Sequence, residues 1–94
     1  MNDSIEHRRI RFEGRVQGVG FRATCNAIVK RVKSLAGWVR NEYDGSVLLH
    51  VQGPPTDIDA ALDQIRQRFS GNITGEDVDR QPVDDELTTF SVRH

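Results

Sequence analysis

The sequence predicts an α/β (α+β) fold: a ferredoxin-like β-α-β-β-α-β sandwich with two helices on one face of a mostly antiparallel sheet of four to five strands. Three observations predict it. An alternating polar–apolar segment, His7–Glu13, runs into a glycine-rich loop and then into apolar residues at helical spacing. Two strand-like runs flank the dipeptide Asp44-Gly45, a strong hairpin signal. A second helical stripe follows, and after it two more strand-like runs.

Taken in order, residues 1–6 read as a frayed start to a single domain spanning 1–94. In His7–Glu13, Ile10 and Phe12 share one face and Arg9, Arg11 and Glu13 the other, the pattern of a half-buried strand. Gly14–Gly20 is a loop. Phe21, Thr24 or Cys25, Ile28, Val32 and Leu35 then recur at helical spacing. Gly37–Asn41 reads as the second strand, Glu42–Ser46 as a turn, and Val47–Gln52 as the third strand, with His50 on its solvent face. Pro54 and Pro55 open a second helix with stripe Ile58, Leu62, Ile65 and Phe69, a capping box at Thr56 and Asp59, and Gly71 as a left-handed C-terminal cap. Ile73–Gly75 reads as a loop, Glu76–Val83 and Leu87–Arg93 as strands, and Asp84–Glu86 as an acidic turn.

Composition narrows the function classes. Hydrophobic residues make up 36% and charged residues 29%, which suits a globular chain and neither a disordered nor a membrane one. No apolar run approaches the ~20 residues of a spanning helix, and no basic-then-apolar leader opens the sequence. The single cysteine, Cys25, excludes an internal disulfide framework and points to a reducing, cytoplasmic compartment. Charge is unevenly divided. Through Asn41 nine basic residues face three acidic ones; beyond it four face eleven. The basic half attracts anions. The acidic half argues against a nucleic-acid binder, as does the want of an aromatic platform, with Phe12, Phe69 and Phe90 assigned to the core and the face of Trp38 left open.

The stretch Gly14-Arg15-Val16-Gln17-Gly18-Val19-Gly20-Phe21-Arg22 joins the first strand to the first helix. Its glycines permit positive φ, so backbone N–H groups from Arg15 to Phe21 can converge on an anion at a helix N-terminus. Arg22 stands in the first helical turn, where the helix dipole disfavours a cation by roughly 0.3–1 kcal/mol. An anion between would relieve that conflict, and a guanidinium fork fits phosphate oxygens. The alternative is a plain glycine turn with Arg22 paired to a structural carboxylate. The topology carries the end of strand 2, and with it Asn41, to the same edge of the sheet as the loop, roughly two strand spacings or ~10 Å away. No Ser–His or Cys–His pair and no metal-ligand spacing accompanies these residues. A bound phosphate with a positioned water would serve best for a good leaving group; a carboxylate, whose conjugate acid has a pKa of ~4, leaves without protonation.

The two motifs, Gly14–Arg22 and Gly37-Trp38-Val39-Arg40-Asn41 followed by Asp44-Gly45-Ser46-Val47, resemble those of the acylphosphatase family, in register over nearly the whole chain. The resemblance implies hydrolysis of acyl phosphates to a carboxylate and inorganic phosphate, without metal or cofactor. It implies that Arg22 binds the phosphate, that Asn41 positions the attacking water, and that the backbone from Gln17 to Phe21 forms the phosphate cradle. The proton then passes to the substrate's own phosphate. Inorganic phosphate is expected as product and inhibitor, and the chain is expected to act as a monomer with no nucleic-acid or membrane partner. Two positions depart from the family pattern: Lys33-Ser34, where a glycine is common near the end of helix 1, and Leu48, where an acidic residue often follows the turn. The other reading of the scaffold is a non-catalytic phosphate-binding module. The family's domain also begins a hydrogenase-maturation carbamoyltransferase; the 94-residue length favours a free-standing enzyme.

Overall fold

A computed structural model describes residues 4–94. Its elements are β1 (Glu6–Gly14), α1 (Phe21–Lys30), β2 (Ala36–Asn41), β3 (Val47–Gly53), α2 (Pro55–Arg68), β4 (Ile73–Gln81) and β5 (Phe90–Arg93). Of the expected fray over 1–6, residues 1–3 lie outside the described residues and Glu6 already pairs with Gly53 in the sheet.

The sheet order is β4-β1-β3-β2-β5. β3 lies between β1 and β2 and is antiparallel to both, so β1 and β2 point the same way, as the β-α-β connection requires. β4 runs antiparallel to β1, and β5 runs parallel to β2 at the other edge. Both helices cover one face. There Ile10, Phe12, Val39, Val47, Leu49 and Val51 meet Phe21, Cys25, Val29, Ile58, Leu62 and Ile65 in one dry core. Phe21 sits between Phe12 and Phe69, at ring-centroid distances of 5.1 and 4.6 Å. Such tilted aromatic pairs add about 0.5–1.5 kcal/mol each beyond their buried area. They also pin the first residue of α1, and so the end of the glycine loop, onto the sheet.

Local boundaries depart from the sequence reading at several points. α1 ends at Lys30, yet Val32 and Leu35 still pack at the core. Single turns, Val32 N–H to Val29 O and Leu35 N–H to Val32 O, continue the apolar spacing without a helix; the stripe reports burial, not helicity. α2 has Pro54 at its N-cap and Pro55 at its first position, so Thr56 lies inside the helix and no capping box forms. The carbonyl of Pro54 accepts from Asp57 and Ile58, while Asp59 turns to Arg8 at 2.6 Å. Gly71 is not left-handed; α2 closes through Phe69, whose carbonyl accepts from Asn72 and Ile73. β4 begins at Ile73 rather than Glu76, because a bulge at Glu13/Gly14 extends its pairing with β1, and it ends at Gln81, before Pro82. β5 takes up only the last four residues of the expected strand Leu87–Arg93.

The face without helices carries Trp38, which strand alternation alone left unplaced. It stacks on His50 with ring centroids 4.3 Å apart, between the guanidiniums of Arg40 and Arg93. His50 is therefore half-buried rather than free in solvent; its Nδ1 lies 2.8 Å from Nε2 of His7, whose Nδ1–H donates to the Pro82 carbonyl at 2.9 Å.

Candidate active site

Two side-chain amides hold the first half of the glycine loop. Arg15 N–H donates to Asn72 O at 2.9 Å, and Asn72 Nδ2 donates back to Arg15 O at 3.0 Å. Gln17 Nε2 donates to the carbonyls of Glu42 and Ser46, at 2.8 and 2.9 Å, tying the loop to the β2–β3 turn. Gly14 permits the first clamp: its φ is +119°, and a Cβ there would stand 2.2 Å from Asn72 O. Beyond the second clamp Gly18 and Gly20 take left-handed φ of +76° and +80°. None of the backbone N–H groups from Val16 to Gly20 is taken up by a protein acceptor among the described residues. The Arg15 N–H, by contrast, is spent on Asn72, which removes it from the expected cradle.

α1 starts without the usual devices. Gly20, its N-cap, supplies no side chain, and no acidic residue stands in the first turn. α2 differs, with Asp57 in its first turn. The uncapped N–H groups and dipole of α1 thus face solvent beside Arg22. No carboxylate lies within ion-pair distance of Arg22 among the described residues. Its one side-chain partner among the described residues is His94, whose Nδ1 accepts from Arg22 Nη1 at 3.3 Å. Among the described residues, then, no structural carboxylate neutralises Arg22.

Arg22 and Asn41 line one cleft of about 290 Å³, together with Gly18, Gly20, Val92 and His94. A wider cleft of about 650 Å³, lined by Gln17, Arg40, Glu42 and Tyr43, shares Asn41 and His94 with it. Asn41 reaches this edge because it is the last residue of β2, opposite Val47. Its Oδ1 is buried and has no hydrogen-bond partner among the described residues. A buried acceptor left unmet costs about 1–3 kcal/mol, so such an atom calls for an occupant or a function. Asn26 Oδ1, one turn beyond Arg22, is also buried and unmet, but it lines neither cleft. A groove of about 550 Å³ between α1 and α2, lined by Thr24, Arg31, Gln64 and Arg68, contains neither Arg22 nor Asn41.

Of the residues expected at the site, Arg22, Asn41, Val16, Gly18, Gly20 and Phe21 line the smaller cleft. Gln17 opens onto the wider one, and Val19 is exposed at the loop tip. Sequence reasoning missed His94 and Asn72. The parallel register of β5 against β2, Arg40 opposite Arg93, is what brings His94 beside Asn41, and no short-range pattern announces that pairing. Asn72 carried a turn signal but nothing to say which loop it would clamp. Cys25 is buried on α1, and burial pushes its thiol up to about 12, so it takes no part as a nucleophile. Among the described residues no group of three or more His, Cys, Asp or Glu side chains could hold a metal ion.

The Acylphosphatase family model matches residues 8–92. The acylphosphatase of Oceanobacillus iheyensis is 39% identical over 99 aligned positions, covering 96% of this chain and all of that protein. That of Salinibacter ruber is 37% identical, covering 88% and 87%. The crystal structure of acylphosphatase from Bacillus subtilis superposes with a TM-score of 0.84 at 30% identity, over 97% of this chain and all of that one. Full-length HypF in a phosphate- and nucleotide-bound form superposes with a TM-score of 0.81 at 27% identity, this chain matching 12% of its length.

Proposed function

The chain belongs to the acylphosphatase family, and from this we infer that it hydrolyses the carboxyl–phosphate anhydride of acyl phosphates to a carboxylate and inorganic phosphate. Val16–Phe21 hold the phosphate through backbone N–H groups at the start of α1, and the guanidinium of Arg22 binds its oxygens. Asn41 Oδ1 accepts a hydrogen bond from the attacking water and aims its lone pair at phosphorus. The carboxylate departs unprotonated, and the water's proton passes to a phosphate oxygen. Catalysis is thus positioning and charge stabilisation, the terms that dominate phosphoryl transfer. The single observation that carries this assignment is one cleft lined both by Asn41, whose Oδ1 finds no donor among the described residues, and by Arg22, which finds no carboxylate among them.

Attack by water needs no metal in this scheme. Inorganic phosphate, as product, competes for the cradle. We propose that the protein acts as a monomer on small acyl phosphates in the cytoplasm, a reading supported by its one buried thiol. No helix among the described residues is long and apolar enough to cross a membrane.

The test is hydrolysis of a simple aromatic acyl phosphate in the presence of EDTA, following loss of the anhydride. Turnover inhibited competitively by inorganic phosphate supports the assignment. Tight phosphate binding by folded protein without turnover overturns it in favour of a phosphate-binding module on the same scaffold.

A further inference from the structure

His94 is the feature of the site that the mechanism above does not use. Its imidazole lies where the two clefts meet, so it borders both the phosphate cradle and the space beside Arg40, Glu42 and Tyr43. Its Nδ1 accepts from Arg22 Nη1, the one side-chain bond Arg22 makes among the described residues. A guanidinium has no lone pair to offer, so at that contact the imidazole must accept, and it can accept only while neutral at Nδ1.

Protonation reverses the contact. The imidazolium has donors on both nitrogens and a charge like that of Arg22, so the two cations repel unless an anion lies between them. The cradle is the place where such an anion binds. We propose that His94 is a second phosphate-binding side chain: neutral, it occupies Arg22 in the unliganded protein; protonated, it leaves that contact and joins Arg22 on the bound dianion. Phosphate binding and proton uptake by His94 are then coupled, each favouring the other. The proposal rests on the reading of Arg22 as the phosphate ligand.

The other charged groups around His94 leave this coupling to it. From α1 the facing charge is the Arg22 guanidinium. From the β2 end, Arg40 is held by Glu42 at 2.8 Å, a nearly neutral pair. On its own strand Arg93 turns to the opposite face, over Trp38.

Sulfate is the suitable probe, because it remains dianionic where inorganic phosphate itself titrates. Its inhibition constant against acyl phosphate hydrolysis is measured from about pH 5 to about pH 8, the span over which an imidazole changes charge. For the wild-type chain we expect sulfate to bind about tenfold more tightly at the acid end, where the imidazolium adds a second charge-assisted contact to the anion. His94→Gln keeps a neutral polar group and flattens the profile. His94→Lys carries a permanent cation and keeps tight binding to the alkaline end. A wild-type profile no steeper than that of His94→Gln overturns the role of His94 while leaving Arg22 as the phosphate ligand. Failure of sulfate to compete at any pH overturns the reading of the cleft itself, and this proposal with it.

Discussion

The loop edge and the helix-free face of the sheet treat charge in opposite ways. On the helix-free face Arg9 pairs with Asp79, Arg11 with Asp44 and Arg40 with Glu42, at 2.6–2.9 Å. His7 is bonded through both ring nitrogens, and Trp38 is packed between His50 and two guanidiniums. At the loop edge, a few residues away, Arg22 has no carboxylate and Asn41 Oδ1 no donor among the described residues, and the start of α1 has no side-chain cap. Both regions are polar and both are built on β2. Charge density alone therefore does not mark a site. What marks it is polar groups held in place by their neighbours and left unmet themselves, the pattern expected where function overrides local stability.

If that contrast is right, substitutions at the loop edge change activity with little effect on stability, and those on the open face do the reverse. The largest expected effect is at Asn41. Asn41→Ala lowers kcat by about 10²–10³, the usual cost of losing one positioned polar group, while inorganic phosphate still binds as a competitive ligand. Wild-type turnover by this variant would break the comparison outright. Next comes Arg22→Ala. Loss of a charge-assisted contact worth about 1.5–3 kcal/mol weakens phosphate binding roughly 10- to 100-fold, and thermal melting should show no matching loss of stability.

The open face is probed by pH. Burial, reinforced by the charges of His7, Arg9, Arg40 and Arg93, lowers the His50 pKa from 6.5 to about 4. The unfolded chain therefore takes up this proton first as pH falls. The stability that depends on a neutral His50 is fully present above about pH 6.5 and is lost on descent toward pH 4. Since the ring is only half-buried, solvent screening reduces the effect to about 1–2 kcal/mol. Urea unfolding across that window should show the decline, and His50→Gln should remove most of it without altering turnover near neutrality.

The smallest stability effect comes from treating α1 like α2. Ala23 is exposed in the first turn of α1 and lines the cleft. Ala23→Asp supplies the acid that Asp57 supplies to α2 and should stabilise the fold by about 0.3–1 kcal/mol. The same charge repels phosphate and raises its inhibition constant. A variant more stable and less able to bind phosphate would sharpen the contrast; one that improved both would undo it.

Which parts were legible in the sequence follows from the range of the forces involved. The alternation of Ile10 and Phe12, the Asp44-Gly45 hairpin and the stripe Ile58–Leu62–Ile65 each express burial or turn chemistry within a few residues, and each is found as read. The same locality misled at Val32 and Leu35, where burial continues past the helix, and at Thr56, where two prolines move the helix start upstream. The convergence of the glycine loop with Asn41 was also legible, because a β-α-β connection leaves little choice of direction.

Taken by itself, the sequence determined the order of elements, the glycine loop with its misplaced Arg22, and the strand end that carries Asn41. Only the tertiary structure decided the rest: Asn72 and Gln17 clamping the loop, Trp38 stacked on His50, and His94 set against Arg22. Each of these contacts joins residues 12 to 72 positions apart in the chain. Such pairings depend on strand registers across a folded sheet, and no short window of sequence contains both partners.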